Sequence, residues 1–328
     1  MNTIVLFDPS IRSLNMGDHV IMRSAENELA CLLEDNYIIH CGTHSPAVTF
    51  YQNTSHNPRM KVYDEAEYKF ICGSNLLWKN MLLPRPTFNV NLWNCRPYRN
   101  SILVGVGTNS VNKEPDFYTR MLYRKILSKD FIHSVRDEET KRLVENLGFR
   151  AINTGCPTMW KFTKNFCKQV PTQKASKVIF TLTDYSKDPL NDQKIIDILQ
   201  QNYPEVYFWV QGVFDMDYFN SLKNTKGIII VPPTLDAYSK ILEEQNVDYV
   251  GTRLHAGMYA LQHRRRTIIL AIDNRVRSMK ETYNLKSIER SDVDKLSAII
   301  NSDFITDIAI SEERIQNWFS QFMKGNIK

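Results

Sequence analysis

YVGTRLHAGMYALQHRRRTIILAID, Tyr249 to Asp273, runs from a short apolar stretch through one with helical spacing to a second apolar stretch, and reads as strand, helix, strand. Thr267 to Ile272 is too continuously apolar for a half-exposed strand and fits a parallel sheet covered on both faces. The alternation extends in both directions. In the second half, strands are expected at Lys177 to Leu182, Val206 to Val210, Gly227 to Val231, Tyr249 to Gly251 and Thr267 to Ile272. Helices are expected between them at Gln193 to Gln201, Met216 to Leu222, Leu235 to Gln245 and His255 to Gln262. In the first half, strands are expected at Thr3 to Phe7, Tyr37 to Cys41, Tyr68 to Cys72, Ile102 to Val106 and Phe131 to Val135. Helices there fall at Asp18 to Leu33, Phe117 to Leu127 and Asp137 to Leu147, the last with acids in its first turn and Gly148 just past its end.

This pattern predicts an α/β protein of two Rossmann-like, doubly wound domains facing a cleft, 1–165 and 175–328, with the polar stretch Lys161 to Lys177 as linker. A chain of 328 residues, 43% hydrophobic and 23% charged, suits that division. The start MNTIVLFDPS lacks the features of a leader, and no run of 18 apolar residues occurs, so no transmembrane segment is expected. The cytoplasm is the expected location, with the inner face of the membrane as a place of peripheral attachment. Six cysteines without a C-x-x-C pair point to buried free thiols rather than a zinc site or disulfides. The net charge of +5 is mild, and Arg264, Arg265 and Arg266, the one compact basic cluster, are too short for a nucleic-acid face and read as a solvated helix-to-strand loop. Oligomeric state is not legible in the sequence.

Open parallel sheets bind ligands beyond the carboxyl ends of their strands, where loops lead into helix N-termini that favour anions. Four stretches lie there. In SLNMGDHVI, Gly17 allows close backbone approach and Asp18 is a good N-cap; with Asn15, the segment reads as a capped turn or as a substrate contact. In SVRDEETKRL, Arg136 follows a strand and could present its guanidinium fork to a phosphate or carboxylate, or only pair with a neighbouring acid. In TRLHAG, Arg253 and His255 flank Leu254 ahead of a helix, joining an anion-attracting group to the side chain best suited to proton transfer near neutral pH. In LAIDNR, Asp273 could orient His255 but more simply caps the helix that begins near Arg275.

Other signatures fail. In GVGTNS, Ser110 stands where a dinucleotide fingerprint has its third glycine, and P-loop, G-x-S-x-G and H-E-x-x-H patterns are absent. His44 and His56, twelve residues apart in a polar loop, read as solvated.

NMGDHVIMRSAENEL, SVRDEETKRLVENLG and VGTRLHAGMYALQHRRRTIILAIDNR together resemble, in order, the N-x-G-D, V-R-D and R-L-H segments of polysaccharide pyruvyl transferases. The sequence departs from that family at CGSNLLW, which has the single glycine Gly73, and at Arg275, where a lysine is common. The resemblance implies a fold of the glycosyltransferase-B kind, phosphoenolpyruvate as donor, a sugar or lipid-linked glycan as acceptor, and a pyruvate ketal as product. It implies that Arg136 and Arg253 hold the donor's phosphate and carboxylate and that His255 is the acid. Substrate contacts from Asn15, Gly17, Asp18, Leu254, Asp273 and Arg275 are expected beside them. No step calls for a metal or a redox cofactor. A nucleotide-sugar glycosyltransferase on the same fold, and a glycan-binding relative without catalysis, are the alternatives.

Overall fold

The computed structural model describes residues 2–54, 57–108 and 114–323, which form two compact α/β units. His56 and Ser110 lie outside the described residues. The first unit takes residues up to Ser13, Ile21–Trp160 and the residues from Ser311 onward; the second takes Leu14–Val20 and Lys161–Ile310. In contrast to the expected contiguous stretches 1–165 and 175–328, both units are discontinuous, because a segment near each end of the chain packs with the unit that periodicity does not assign it to.

The strands of the first unit are β1 (Thr3–Asp8), β2 (Tyr37–Gly42), β3 (Tyr68–Cys72), β4 (Asn75–Leu77), β5 (Ile102–Val104), β6 (Gly107–Thr108), β7 (His133–Val135) and β8 (Ala151–Asn153). A parallel sheet runs β2-β1-β3-β5, and the single bridge Val106↔Val135 connects it to the parallel pair β7-β8. β5 ends two residues before the expected Val106 because Gly105 turns to φ +60, where a Cβ would strike Pro157. The short parallel pair β4-β6 sets Asn75 opposite Gly107. The helix Glu138–Asn146 is capped as expected: Asp137 accepts hydrogen bonds from the Thr140 N–H and hydroxyl at 2.7 Å each, and Gly148 follows at φ +93. The expected helix Asp18 to Leu33 begins earlier, at Met16, and is split into Met16–Glu28 and Ala30–Leu33. The helix Glu312–Met323, which the sequence reading missed, seats Trp318 and Phe322 against Phe70 in this unit.

The second unit holds β9 (Lys177–Thr181), β10 (Glu205–Trp209), β11 (Ile229–Val231), β12 (Val247–Gly251), β13 (Thr267–Ala271) and β14 (Ser287–Glu289). They form one parallel sheet of order β11-β10-β9-β12-β13-β14, with β14 unforeseen. β9 and β12 are neighbours at its centre, so the chain enters and leaves the middle of the sheet, where a doubly wound fold places ligands. The helix Leu254–Gln262 is buried from Leu254 to Leu261, and Gly257 lets it approach β13, since a Cβ there would lie 2.8 Å from Ile269. Among the described residues no helix is long and apolar enough to cross a membrane, and no group of three or more His, Cys, Asp or Glu could hold a metal. Cys31 is exposed, while the other five thiols are buried as expected.

The reading of the Arg264 to Arg266 cluster as a solvated loop is corrected by the structure. Arg264 is exposed, but Arg266 is only 1% exposed. Its guanidinium pairs with Asp248 at 2.9 Å and donates to the carbonyls of Thr172, Ile299, Ile300 and Ser302, the middle two at the end of the helix Leu296–Ile300. The orphan carbonyls of a helix end thus find a buried donor, and Asp248 is further satisfied by the Tyr203 hydroxyl at 2.7 Å. Removing the arginine would take the counter-charge from a buried carboxylate and the donor from the Ile300 and Ser302 carbonyls, while Thr172 and Ile299 keep other donors. Arg266→Met is therefore expected to lower the unfolding free energy by about 3–5 kcal/mol; a loss below about 1 kcal/mol in denaturant titration would refute this role.

His133 in β7 is fully buried, accepts from Leu103 N–H at Nδ1 (3.2 Å) and donates from Nε2 to the Ser128 carbonyl (2.9 Å), which fixes one neutral tautomer. Burial depresses its pKa to about 4. The unfolded chain therefore binds more protons between about pH 4 and 6.5, so the folded state loses stability as the pH falls through that window. Wild-type Tm is expected to drop more steeply from pH 7 to 4.5 than that of His133→Asn; parallel profiles would show that the ring does not carry the effect.

Candidate functional site

β12 ends at Gly251, and the chain turns through Thr252 and Arg253 into the helix Leu254–Gln262. Hydroxyl groups fix this turn. Thr181 accepts from Arg253 N–H at 3.3 Å and bonds the Tyr249 hydroxyl at 2.7 Å, while Thr183 and Thr252 pair at 2.8 Å. Gly251 is needed because a Cβ would press on Thr181 and Tyr249. Arg253 is the residue before the helix and His255 the second within it, so both lie at the positive end of the helix dipole, as the sequence implied.

Their environment differs from a simple cationic pocket. Arg253 is 3% exposed, and its guanidinium is already engaged. Nε donates to the Leu182 carbonyl at 3.0 Å, and Nη2 donates to Asp184 at 2.7 Å and to Asp215. Asp215 is fully buried and also accepts from Gly212 N–H at 2.7 Å and Asp184 N–H at 3.1 Å. Burial pushes the Asp215 carboxyl above its ordinary range, against the pull of Arg253. Gly212 is required at this spot, since a Cβ there would collide with the Arg253 guanidinium.

Gly212 also brings in the Asn15 segment. Asn15 bridges to Gly212, Met16 N–H donates to the Gln211 carbonyl at 2.9 Å, and the Gln211 side-chain amide donates to Asn15 Oδ1 at 2.7 Å. The same Oδ1 accepts from Gly17 N–H at 3.0 Å, so Asn15, not Asp18, fills the cap position; Asp18 sits inside the first turn. A Cβ at Gly17 would meet the Gln211 amide at 2.9 Å. The loop Val210 to Phe214 thus joins Asn15 and Gly17 to the arginine of the R-L-H stretch. It carries none of the recognised motifs and was missed in the sequence.

Asp273 caps the helix Asn274–Tyr283, accepting from Arg275 N–H at 2.9 Å and Val276 N–H at 3.4 Å, and clamps the Arg275 side chain at 2.9 and 2.5 Å. Burial works against the Asp273 charge, but the Arg275 hydrogen bonds prevail and hold its carboxyl below the usual range. The capping role is therefore filled. Arg275 reaches the Tyr185 hydroxyl at 3.1 Å, and the Tyr185 ring lies 4.9 Å from the Arg253 guanidinium. Tyr185 and Asp184, which link the two arginines, were also missed: they follow β9 in TDYSKD, where the sequence offers only turn formers.

Arg136 belongs to the first unit. It is 7% exposed, donates to Asn75 Oδ1 and reaches Asp137 at 3.4 Å. Gly107 lies beneath it, and a Cβ there would collide with the guanidinium. The β4-β6 register, which puts Asn75 opposite Gly107, therefore builds the seat of this arginine.

Solved structures similar to the chain are UDP-GlcNAc 2-epimerases. One described as UDP-N-acetylglucosamine 2-epimerase is 10% identical with a TM-score of 0.50, over 100% of this chain and 98% of its own. The enzyme of Methanocaldococcus jannaschii, solved with UDP-GlcNAc and UDP, is 11% identical with a TM-score of 0.49, over 98% and 99%. That of Neisseria meningitidis, bound to UDP-GlcNAc, is 10% identical with a TM-score of 0.49, over 98% and 100%. At such identity the first likeness shows the fold alone, a Rossmann-like α/β architecture of the glycosyltransferase-B kind. No curated protein matches the chain. The model of one transferase family, described as Polysaccharide pyruvyl transferase, matches residues 15–274, from the Asn15 cap to the start of the helix behind Asp273, and the chain belongs to that family.

Proposed function

We propose that the protein transfers the pyruvyl group of phosphoenolpyruvate to a sugar as a cyclic ketal in the synthesis of a cell-surface glycan. The observation that carries this reading is the convergence of Asn15, Gly17 and Arg253 on the Gln211–Gly212 turn, within the family match over 15–274, beside His255 in the first turn of a helix.

In this reading Arg253 and the helix N-terminus serve the compact, highly charged donor, for which fixed cations and N–H dipoles are the appropriate partners; for Arg136 a donor role rests on the family resemblance of its V-R-D segment alone. His255 gives a proton to C3 as an acceptor hydroxyl attacks C2. The C2–O bond to phosphate then breaks, inorganic phosphate leaves, and a second hydroxyl adds to C2 and closes the ketal; the two hydroxyls lose one proton each, one replacing the proton given to C3 and one taken up by the departing phosphate. Donor and diol become ketal and phosphate, so electrons balance without an oxidant or reductant. Leu254 packs the helix start between the two polar groups, Asp18 and the Asn15 cap hold the N-terminal turn, and Asp273 keeps Arg275 oriented beside Tyr185. The acceptor is a sugar or lipid-linked glycan, and attachment at the inner membrane face suits the latter.

Incubation with phosphoenolpyruvate and a panel of lipid-linked and nucleotide-linked sugars should release phosphate in step with pyruvyl addition to one of them. His255→Ala is expected to lower kcat on the order of 10²–10⁴-fold. Undiminished activity would remove His255 from the acid role, and stabilisation by a nucleotide sugar with none by phosphoenolpyruvate would replace the reading with a glycosyltransferase. Gly107→Ala, which displaces Arg136, is expected to raise KM for phosphoenolpyruvate about tenfold or more, the scale of a charged hydrogen bond; an unchanged KM would take Arg136 out of donor binding.

A further inference from the structure

Two carboxylates meet one guanidinium at Arg253, and they are not equivalent. Asp215 is fully buried and tied by the Gly212 and Asp184 N–H groups, so it belongs to the frame. The Asp184 side chain is 17% exposed; its carboxylate accepts from Arg253 Nη2 at 2.7 Å and also lies against the Asp215 carboxyl. The loop on either side is anchored: Thr183 pairs with Thr252 at 2.8 Å, Arg290 donates to the Ser186 carbonyl at 2.6 Å, and Asp188 N–H donates to the Tyr218 hydroxyl at 3.0 Å. Between these anchors a change of the Asp184 side-chain rotamer would leave the loop backbone in place, and Tyr185, 61% exposed, covers the guanidinium from the same loop. One positive and two negative groups leave no surplus positive charge for an anion, so an anionic ligand at Arg253 must first remove a carboxylate. Of the two, Asp184 is the carboxylate that solvent and a ligand can reach.

We propose that Asp184 is an internal stand-in for the donor's anionic group: it holds Arg253 until the donor's oxygens replace it, and its negative charge sets the donor affinity. This rests on the pyruvyl-transfer reading for the identity of the donor, but not for the anion site itself. Asp184 is thus a positioning residue that acts through Arg253. It keeps the guanidinium fork aimed along the loop and excludes weakly bound anions, which compete poorly with a tethered carboxylate.

The test is binding of inorganic phosphate and of phosphoenolpyruvate to the full chain and to Asp184→Asn and Asp184→Ala by calorimetry, with Tm measured alongside. Loss of a merely structural contact would weaken binding; loss of a competing carboxylate should tighten it. Both variants are expected to bind phosphoenolpyruvate about tenfold more tightly, a change of about 1.4 kcal/mol, and Asp184→Glu is expected to restore wild-type affinity. Should one variant fail to fold, the other decides. Binding no tighter than wild type in a folded variant overturns the proposal. Tighter phosphate binding by the variants, in a protein that never consumes phosphoenolpyruvate with any acceptor, would uphold the stand-in and reject the pyruvyl reading. Turnover of phosphoenolpyruvate with unchanged affinity in both variants would do the reverse.

Discussion

The second unit is organised around the burial of one guanidinium. Arg253 can lie 3% exposed because Asp184 and the fully buried Asp215 pair with it and because Gly212 leaves room for it. An unpaired buried charge would be several kcal/mol too costly, and a side chain at residue 212 would push the arginine out. With these met, the turn from β12 into the helix Leu254–Gln262 is set, and His255 is carried in the first turn of that helix. The same Gly212 turn receives Asn15 and Gly17, so the N-terminal motif and the R-L-H motif are parts of one structure.

The first unit shows the same economy at Arg136. Asn75 and Gly107 face each other across a short parallel pair, one supplying a hydrogen-bond acceptor and the other the absence of a side chain. In each unit a buried arginine depends on a glycine for space and on neighbouring oxygen atoms for charge or hydrogen bonding. Both arginines lie within residues 15–274, which the family model matches.

The longer parallel strands were legible because their apolar runs are continuous, whereas the two- and three-residue strands β4, β6, β8 and β14 were not, and Asp137 and Gly148 announced their helix by cap chemistry. Segment membership was not. The helix Glu312–Met323 carries an ordinary amphipathic pattern that fits either unit, and tertiary contacts assign it to the first: Trp318 and Phe322 pack on Phe70, and the Trp318 indole N–H donates to the Ile132 carbonyl at 2.8 Å. Arg253 and His255 were recognisable as a polar pair at a strand end, whereas Asp184, Tyr185, Gln211 and Asp215 were not. Asp184, Tyr185 and Gln211 lie in the turns after β9 and β10 and Asp215 opens the next helix, at separations of roughly forty to seventy residues from Arg253, and no local pattern encodes such a pairing. Arg266 was misread for a related reason: a run of three arginines looks solvated until a buried aspartate from the neighbouring strand is known to meet the last of them.

A structure determined with phosphoenolpyruvate bound would test the account most directly. The expected result is a donor whose anionic oxygens contact Arg253 where the Asp184 carboxylate now sits, with its C3 within proton-transfer reach of His255. Phosphoenolpyruvate seated away from Arg253 and His255, with Asp184 still on the guanidinium, would contradict it.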